Sequence, residues 1–272
     1  MQAILNDLSN SSSVKAALKA NWLGYHYHLW QAENAEMAVG PHLTWLVTDI
    51  PDHFMNVVVC SQLPQVDIED IFEEAMAHFR ELNVSRLSWL IEENVHAEDV
   101  KNHLLSHGLI LRDSFAVEMA ADLRALPDDS LLPDGLSILP VENRDTLQQW
   151  IRVASSGFGV AEKNENAWCD IFDNVVFAPP FQTYLAFLNH KPVATAQLFA
   201  FAGVAGVYNI TCLPEARGRG IGTALTVAPL LAARKMGYRV GILQASELGL
   251  NVYRKLGFQE YGKLSVLTWQ RQ

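Results

Sequence analysis

The chain has 272 residues, half of them apolar and 18% charged, which is typical of a globular protein with room for two domains. The longest apolar stretch, near residues 198–208, is far short of the roughly 18 residues that a membrane-spanning helix needs. The three cysteines of the chain are scattered, which argues against a disulfide scaffold and a cysteine-based zinc site. With no signal-peptide pattern in its first residues, the protein is predicted to be cytoplasmic.

The formal charge of −10 is unevenly spread along the chain. Residues 1–133 carry a net charge of −13, and residues 134–272 carry +3. A ligand with several phosphates bound in the second half would fit this asymmetry, whereas nucleic acid would not. The alternative is that the acidic residues only keep the first half soluble.

The first half alternates predicted strands and helices. Apolar periodicity predicts helices over residues 13–30, 66–83 and 97–107, and strands over residues 43–49, 54–60, 86–92 and 109–123. Gly108 is the predicted stop of the third helix. A segment rich in Pro, Asp and Gly, residues 124–135, is the predicted linker.

The second half begins at residue 136 and repeats the alternation. The same patterns predict strands over residues 136–141, 183–188, 192–200, 204–213 and 238–244, and helices over residues 143–155, 166–177 and 220–236. A further amphipathic helix precedes Gly257-Phe258. Pro229 lies inside the helix 220–236 and predicts a kink, because it removes one backbone hydrogen bond.

Alternate glycines mark the start of that helix, in the order Arg217-Gly218-Arg219-Gly220-Ile221-Gly222. Glycine lets the backbone approach a ligand closely, and a helix start presents free N–H groups with the positive end of the helix dipole. The two arginines add charge that suits phosphate. The sequence therefore predicts a phosphate-binding loop.

Spacing distinguishes this loop from two common nucleotide motifs. A P-loop needs Gly-Lys followed by Ser or Thr, which occurs nowhere in the chain. A dinucleotide fingerprint needs a third glycine where Thr223 stands. What remains is Arg-x-x-Gly-x-Gly, formed by Arg217, Gly220 and Gly222.

This motif resembles the pyrophosphate loop of the GNAT superfamily of acyl-CoA-dependent N-acyltransferases. The segment LQASELGLNVYRKLGF, which ends at Phe258, is similar to that family's closing segment. The resemblance implies acetyl-CoA as cosubstrate and direct transfer of the acyl group to an amine. No metal is expected. It also implies cofactor contacts at the strand end and loop, namely Ile210, Thr211, Cys212, Leu213, Arg217, Gly218, Arg219, Gly220, Ile221, Gly222, Thr223 and Ser246.

Tyr253 is the candidate catalytic residue, because the resemblance places it where it can give a proton or hydrogen bond to the leaving thiolate. On an amphipathic helix, the same tyrosine could serve packing alone. Ser246 could cap that helix as well as contact the cofactor. Many relatives carry a glutamate on the strand before the loop. Here Glu215 lies beyond that strand, so the general base is left open.

The two halves also resemble each other. Gly108-Leu109 aligns with Gly257-Phe258, which sets Leu104 in the place of Tyr253. Instead of the glycine loop, the first copy has SQLPQVDIED, which carries acidic residues. The first half is therefore predicted to be a degenerate copy without cofactor.

The resulting prediction is an α/β fold (α+β mixed sheet) of two tandem GNAT-like domains, each a twisted mixed sheet flanked by helices. Residues 1–123 form the degenerate domain, 124–135 the linker and 136–272 the N-acetyltransferase domain. The predicted reaction transfers an acetyl group to a primary amine of a small molecule or an amino terminus. A non-catalytic acyl-CoA-binding module is the alternative. No nucleic acid or membrane partner is expected, and oligomerisation is left open.

Overall fold

A computed structural model describes residues 3–29, 35–60, 68–93, 96–112, 116–127, 132–173 and 175–271. The helices in these ranges are α1 Ser11–Leu29, α2 Ile68–Glu81, α3 Ala97–Ser106, α4 Arg144–Phe158, α5 Glu165–Asp173, α6 Ile221–Lys235 and α7 Glu247–Lys255. The strands are β1 Ala35–Val39, β2 Leu43–Thr48, β3 Val57–Cys60, β4 Arg86–Glu92, β5 Ile110–Leu111, β6 Ala116–Asp122, β7 Leu136–Pro140, β8 Phe181–Leu188, β9 Lys191–Phe201, β10 Val204–Cys212, β11 Val240–Ala245 and β12 Gln259–Gln270.

Most predicted elements are present, with differences at their ends. The sequence pattern missed β1, and the strand predicted over 109–123 is divided into β5 and β6, with residues 113–115 outside the described ranges. The helix predicted over 66–83 ends earlier as α2, and Asn83 takes a left-handed conformation with a φ of 58°. Residues 66 and 67 lie outside the described ranges. Despite Pro229, α6 is one α-helix from Ile221 to Lys235.

The chain divides into two compact units whose limits differ from the predicted boundary. Unit 1 contains the described residues up to Leu29 together with Glu118–Tyr261. Unit 2 contains the described residues from Ala35 to Val117 together with those from Gly262 onward. Helix α1 therefore lies in the same unit as the glycine loop, because its apolar side packs with strands of the second half.

Unit 1 is built on a mixed sheet in the order β6-β11-β10-β9-β8-β7. Strands β7 to β10 pair antiparallel, and β10 pairs parallel with β11. Strand alternation places Ala194 and Ala196 of β9 in the apolar core that α6 covers. Their neighbours Thr195 and Gln197 point to the opposite face, where Gln197 meets Tyr25 of α1.

Helix α1 is fixed to unit 1 by a buried asparagine. The Asn21 side chain is fully buried; its Nδ2 donates to the carbonyl of Phe201 at 2.8 Å. Its Oδ1 accepts from the hydroxyl of Tyr208 at 2.7 Å. Gly24, one turn further on, has no room for a Cβ because the ring of Phe201 fills that space.

We expect Asn21→Ala to lower the free energy of unfolding by about 1–3 kcal/mol, because it leaves a partly buried hydroxyl and a partly buried carbonyl without this partner. Urea denaturation followed by circular dichroism measures this change. Lys15→Ala, at an exposed position of the same helix, is the control and should stay within about 0.5 kcal/mol of the wild type. Equal stabilities of the two variants would contradict this role of Asn21.

Unit 2 has its own sheet and core. Strands β1, β2, β3, β4 and β12 are neighbours in that order, β5 also pairs with β12, and β3 pairs parallel with β4. The apolar faces of α2 and α3 cover this sheet. Phe72, Phe79, Trp89 and Leu104 are buried in the core between them.

The two units share one turn in detail, as the internal repeat predicts. Gly108 and Gly257 both have left-handed φ angles, 83° and 86°. The amide of Leu109 donates to the carbonyl of Leu104 at 3.1 Å, and the amide of Phe258 donates to that of Tyr253 at 3.0 Å. Leu104, which is fully buried, therefore stands where unit 1 has Tyr253. The loop residues 61–67 of the first copy lie outside the described ranges.

No helix in the described part of the chain has the length and apolar character needed to cross a membrane.

Candidate acyl-CoA site

The site begins where two parallel strands separate. Strand β10 pairs with β11 only at Ala205 with Gly241 and Gly206 with Ile242. Beyond this point β10 continues to Cys212, paired on its other edge with β9. Among the described residues, no strand pairs with the β11-facing edge of β10 beyond Gly206. An extended ligand can hydrogen-bond to an open strand edge of this kind.

A bulge interrupts β10 along this open edge. The register with β9 shifts between Tyr208 and Thr211, and Asn209 has a left-handed φ of 52°. Of the predicted strand-end contacts, Ile210 and Cys212 pack towards the core under α6. The amide of Leu213 donates to the carbonyl of Val193 at 2.9 Å, so it is not available to a ligand.

The glycine loop connects β10 to α6 and is shaped by two left-handed glycines. After a 3-10 turn over Pro214–Ala216, Gly218 and Gly220 have φ angles of 75° and 77°, and α6 begins at Ile221. A Cβ added to Gly218 or Gly222 would meet no atom within 4 Å, so these positions face open space.

The amides of Gly218 to Thr223 make no hydrogen bond to any residue that the structure describes. The first amides of a helix have no intrahelical acceptor, and the positive end of the helix dipole lies beside them. This is an arrangement that binds phosphate.

The two loop arginines have different surroundings. Nε of Arg217 donates to the carbonyl of Cys212 at 3.0 Å, which ties the loop to the end of β10. Arg219 lines a cavity of about 450 Å³ together with Lys191 and Glu215. Glu215 is exposed, so it carries no sign of a buried general base.

Tyr253 is buried on α7 and connected to the loop through one threonine. Its side chain is only 8% exposed and hydrogen-bonds to Thr226 of α6. Thr226 Oγ1 donates to the carbonyl of Gly222 at 2.8 Å.

Burial raises the pKa of Tyr253 to about 12, although the hydrogen bond to Thr226 opposes the shift. The phenol is therefore protonated throughout the physiological range. Gly249, one turn earlier on α7, has no Cβ to collide with the ring, and the ring of Phe258 lies 5.9 Å away. Tyr253 is thus held in one place as a neutral phenol.

A network of polar side chains lies beside the bulge, on the face of the sheet opposite α6. The Tyr25 hydroxyl donates to Gln197 Oε1 at 2.8 Å and accepts from Asn209 Nδ2 at 2.7 Å. Gln197 Nε2 donates to the hydroxyl of Thr183 at 2.9 Å. The ring of Tyr25 also stacks on that of Tyr208 with centroids 4.0 Å apart. Burial raises the pKa of both tyrosines, so this network is neutral.

Residues 179–260 match the family described as Acetyltransferase (GNAT) domain. The chain contains a GNAT domain. The matched segment extends from the residues before β8 to the start of β12 and includes the open strand edge, the glycine loop and Tyr253. No curated protein matches the sequence.

Solved structures similar to this chain have the same fold over nearly its whole length. A GCN5-related N-acetyltransferase from Kribbella flavida is 19% identical, with a TM-score of 0.68 over 94% of this chain and 95% of that one. One from Sphaerobacter thermophilus is 15% identical, with a TM-score of 0.62 over 94% and 91%. A tandem GNAT protein from the clavulanic acid biosynthesis pathway is 14% identical, with a TM-score of 0.59 over 99% and 98%.

These likenesses confirm the predicted fold of mixed sheets and flanking helices in tandem GNAT-like halves. Within the GNAT domain, the end of β10 leads into the loop, and Thr226 of α6 contacts both the loop and Tyr253. The roles of these residues towards a cofactor stay predictions. Ser246 occupies the N-cap position of α7, but its exposed side chain makes no capping hydrogen bond. Its role towards the cofactor remains a prediction.

Sequence analysis missed the Tyr25 network, because Tyr25 was assigned to the other domain. The period of the buried residues on α1 signals a packed helix and does not identify the strand that the helix meets. The one local signal was Asn209, since asparagine tolerates the left-handed conformation of a bulge better than other non-glycine residues.

Proposed function

We propose that the GNAT domain transfers an acetyl group from acetyl-CoA to a primary amine of a small molecule or an amino terminus. The observation that carries this proposal is the row of unpaired amides from Gly218 to Thr223 beside an open strand edge. The family match over residues 179–260 supports it independently.

In this proposal, the loop holds the pyrophosphate of acetyl-CoA. The free amides donate to phosphate oxygens, and the start of α6 adds its dipole. Arg219 and Lys191, which line the same cavity beside the loop, supply positive charge. The open edge of β10 then directs the extended arm of the cofactor towards the bulge at Asn209.

The reaction is direct attack of the amine nitrogen on the thioester carbonyl carbon. A C–N bond forms, the C–S bond breaks, the amine loses a proton and the thiolate gains one. Tyr253 is protonated, so its hydroxyl can leave Thr226 and donate a hydrogen bond to the leaving sulfur. A positioned donor of this kind contributes about 10²–10⁴-fold to the rate.

The proton of the amine goes to water in this scheme. The groups beside the bulge, Tyr25, Gln197 and Asn209, are neutral and hydrogen-bonded to one another. None of the three is a base at physiological pH. The acceptor therefore reacts as the free amine.

Release of the CoA thiol from acetyl-CoA, measured with a panel of amines of graded pKa, tests the proposal. We expect turnover with at least one primary amine, and a rate that rises with pH until that amine is deprotonated. The mass of the acceptor amine must increase by that of one acetyl group. Acetyl-CoA binding without release of thiol for any amine would overturn the proposed transfer.

The burial of Tyr253 and its internal hydrogen bond also fit a second function, that of a non-catalytic acyl-CoA-binding module. In that case the glycine loop would bind the cofactor and Tyr253 would only pack. The same assay separates the two functions, because only the enzyme releases thiol in an amine-dependent way.

A further inference from the structure

Three potential metal ligands converge on the surface of unit 2. Glu69 lies in the first turn of α2, His103 in the last turn of α3, and His107 directly after α3. One ligand atom from each lies within 4.8 Å of the others. The two histidines are one helical turn apart and so share a face.

The tautomer of His107 is determined by its neighbours. Nδ1 of His107 lies 3.0 Å from the carbonyl of His103. Ser106, the other polar neighbour of Nδ1, already donates its proton to that carbonyl at 2.7 Å. Nδ1 is therefore the nitrogen that carries the proton when the ring is neutral. Nε2 then presents its lone pair to Glu69 Oε1 at 3.1 Å.

Two electron-rich atoms at this distance need a cation between them. A proton on Nε2 would satisfy this contact alone. That proton would leave His103 unsatisfied. Nε2 of His103 is buried and makes no hydrogen bond to any residue in the described ranges, although Glu69 Oε2 lies 3.8 Å away.

A single proton can bridge Glu69 to only one of the two rings. The negative charge of Glu73 acts on both histidines and adds to the attraction for a cation. One divalent cation, unlike one proton, satisfies both nitrogens and the carboxylate together.

We propose that Glu69, His103 and His107 bind one Zn²⁺ ion. Zinc takes imidazole nitrogen and carboxylate oxygen at about 2.0–2.2 Å in tetrahedral geometry, which sets these ligand atoms roughly 3.3–3.5 Å apart. The measured separations from Glu69, 3.1 Å to His107 and 3.8 Å to His103, lie on either side of that value. Glu69 is 60% exposed, so the fourth position faces water.

The surroundings hold the ligands in place. The ring of Phe72 lies 5.6 Å from that of His103 and 4.8 Å from that of His107, and Phe72 itself is buried in the core of unit 2. The Nδ1 proton of His107 has a carbonyl acceptor, which is the outer contact that zinc-bound histidines usually make. Bound zinc would cross-link α2 to α3, a structural role separate from the glycine loop.

Calorimetry of the full chain without a histidine tag, stripped of metal and titrated with zinc chloride, tests the site. We expect one zinc ion per chain, with an affinity that falls at least about tenfold in His103→Gln, His107→Gln and Glu69→Gln. Zinc should also raise the Tm of the wild type and not that of these variants.

Two variants serve as matched controls. His96→Gln changes the N-cap residue of α3, at the opposite end of that helix from His103, and Glu81→Gln lies at the far end of α2. Both should bind zinc as the wild type does. Glu69 is exposed, so Glu69→Gln tests the site even if a histidine variant fails to fold. The proposal is overturned if the wild type binds no zinc, or if Glu69→Gln binds zinc as tightly as the wild type does. The cluster would then be only an ion pair between Glu69 and the histidines.

Discussion

Gly222→Val is expected to abolish acetyl-CoA binding while the protein stays folded. Gly222 lies in the first turn of α6, and a Cβ built on it meets no atom within 4 Å. The valine side chain would therefore be accommodated by the protein itself. It would occupy the space in front of the free amides, where the proposed pyrophosphate lies.

Calorimetry measures this effect, with one acetyl-CoA per wild-type chain and none per variant chain. A single site is expected because the predicted degenerate half lacks a glycine loop. Lys235→Val is the matched control, since it places the same side chain at an exposed position at the other end of α6. Gly220→Val is less informative, because valine would be strained at a φ of 77°. Unchanged affinity in folded Gly222→Val would contradict the position of the cofactor.

Local patterns explain why the GNAT half could be predicted from sequence. The left-handed turns at Gly218 and Gly220 need glycine, so the sequence records them directly. The parallel strand that follows α6 is nearly all apolar, as expected of a strand buried on both faces. Tyr253 stays a candidate that rests on the resemblance of its segment to the GNAT superfamily.

Contacts between distant parts of the chain could not be predicted in this way. Asn21 and Tyr25 of α1 bond to strands far along the sequence, and the helix period is the same whichever strand it covers. The pair of His103 and His107 was visible as helical spacing, but Glu69 joins it only through the packing of α2 beside α3. The predicted absence of a metal rested on cysteine spacing. That spacing gives no information on a cluster of two histidines and a glutamate.

The shared turn at Gly108 and Gly257 gives the internal repeat a physical basis. In each half the amide three residues beyond the helix donates to the carbonyl five residues back, and the strand that follows starts from the same geometry. At the position equivalent to Tyr253, the fully buried Leu104 offers packing and no hydroxyl. This contrast supports the prediction that catalysis is confined to the GNAT domain.

Tyr253→Phe is expected to lower turnover by at least about tenfold and to leave acetyl-CoA affinity unchanged. The ring keeps its contacts with Phe258 and Gly249, so the packing of α7 on α6 is retained. Only the hydroxyl that would reach the leaving thiolate is lost. Losing its bond to Thr226 should change the free energy of unfolding by no more than about 1.5 kcal/mol.

The pH dependence of this variant separates proton donation from packing. Because burial raises the pKa of Tyr253 to about 12, the phenol stays protonated below that pH. The ratio of wild-type to variant turnover should therefore be constant from about pH 6 to 9, with any slope in that range set by the acceptor amine. Tyr238→Phe, which removes a hydroxyl bonded to the Ala200 carbonyl elsewhere in unit 1, is the matched control and should retain full turnover. Wild-type turnover in Tyr253→Phe would assign Tyr253 to packing and move the proton donor to another group.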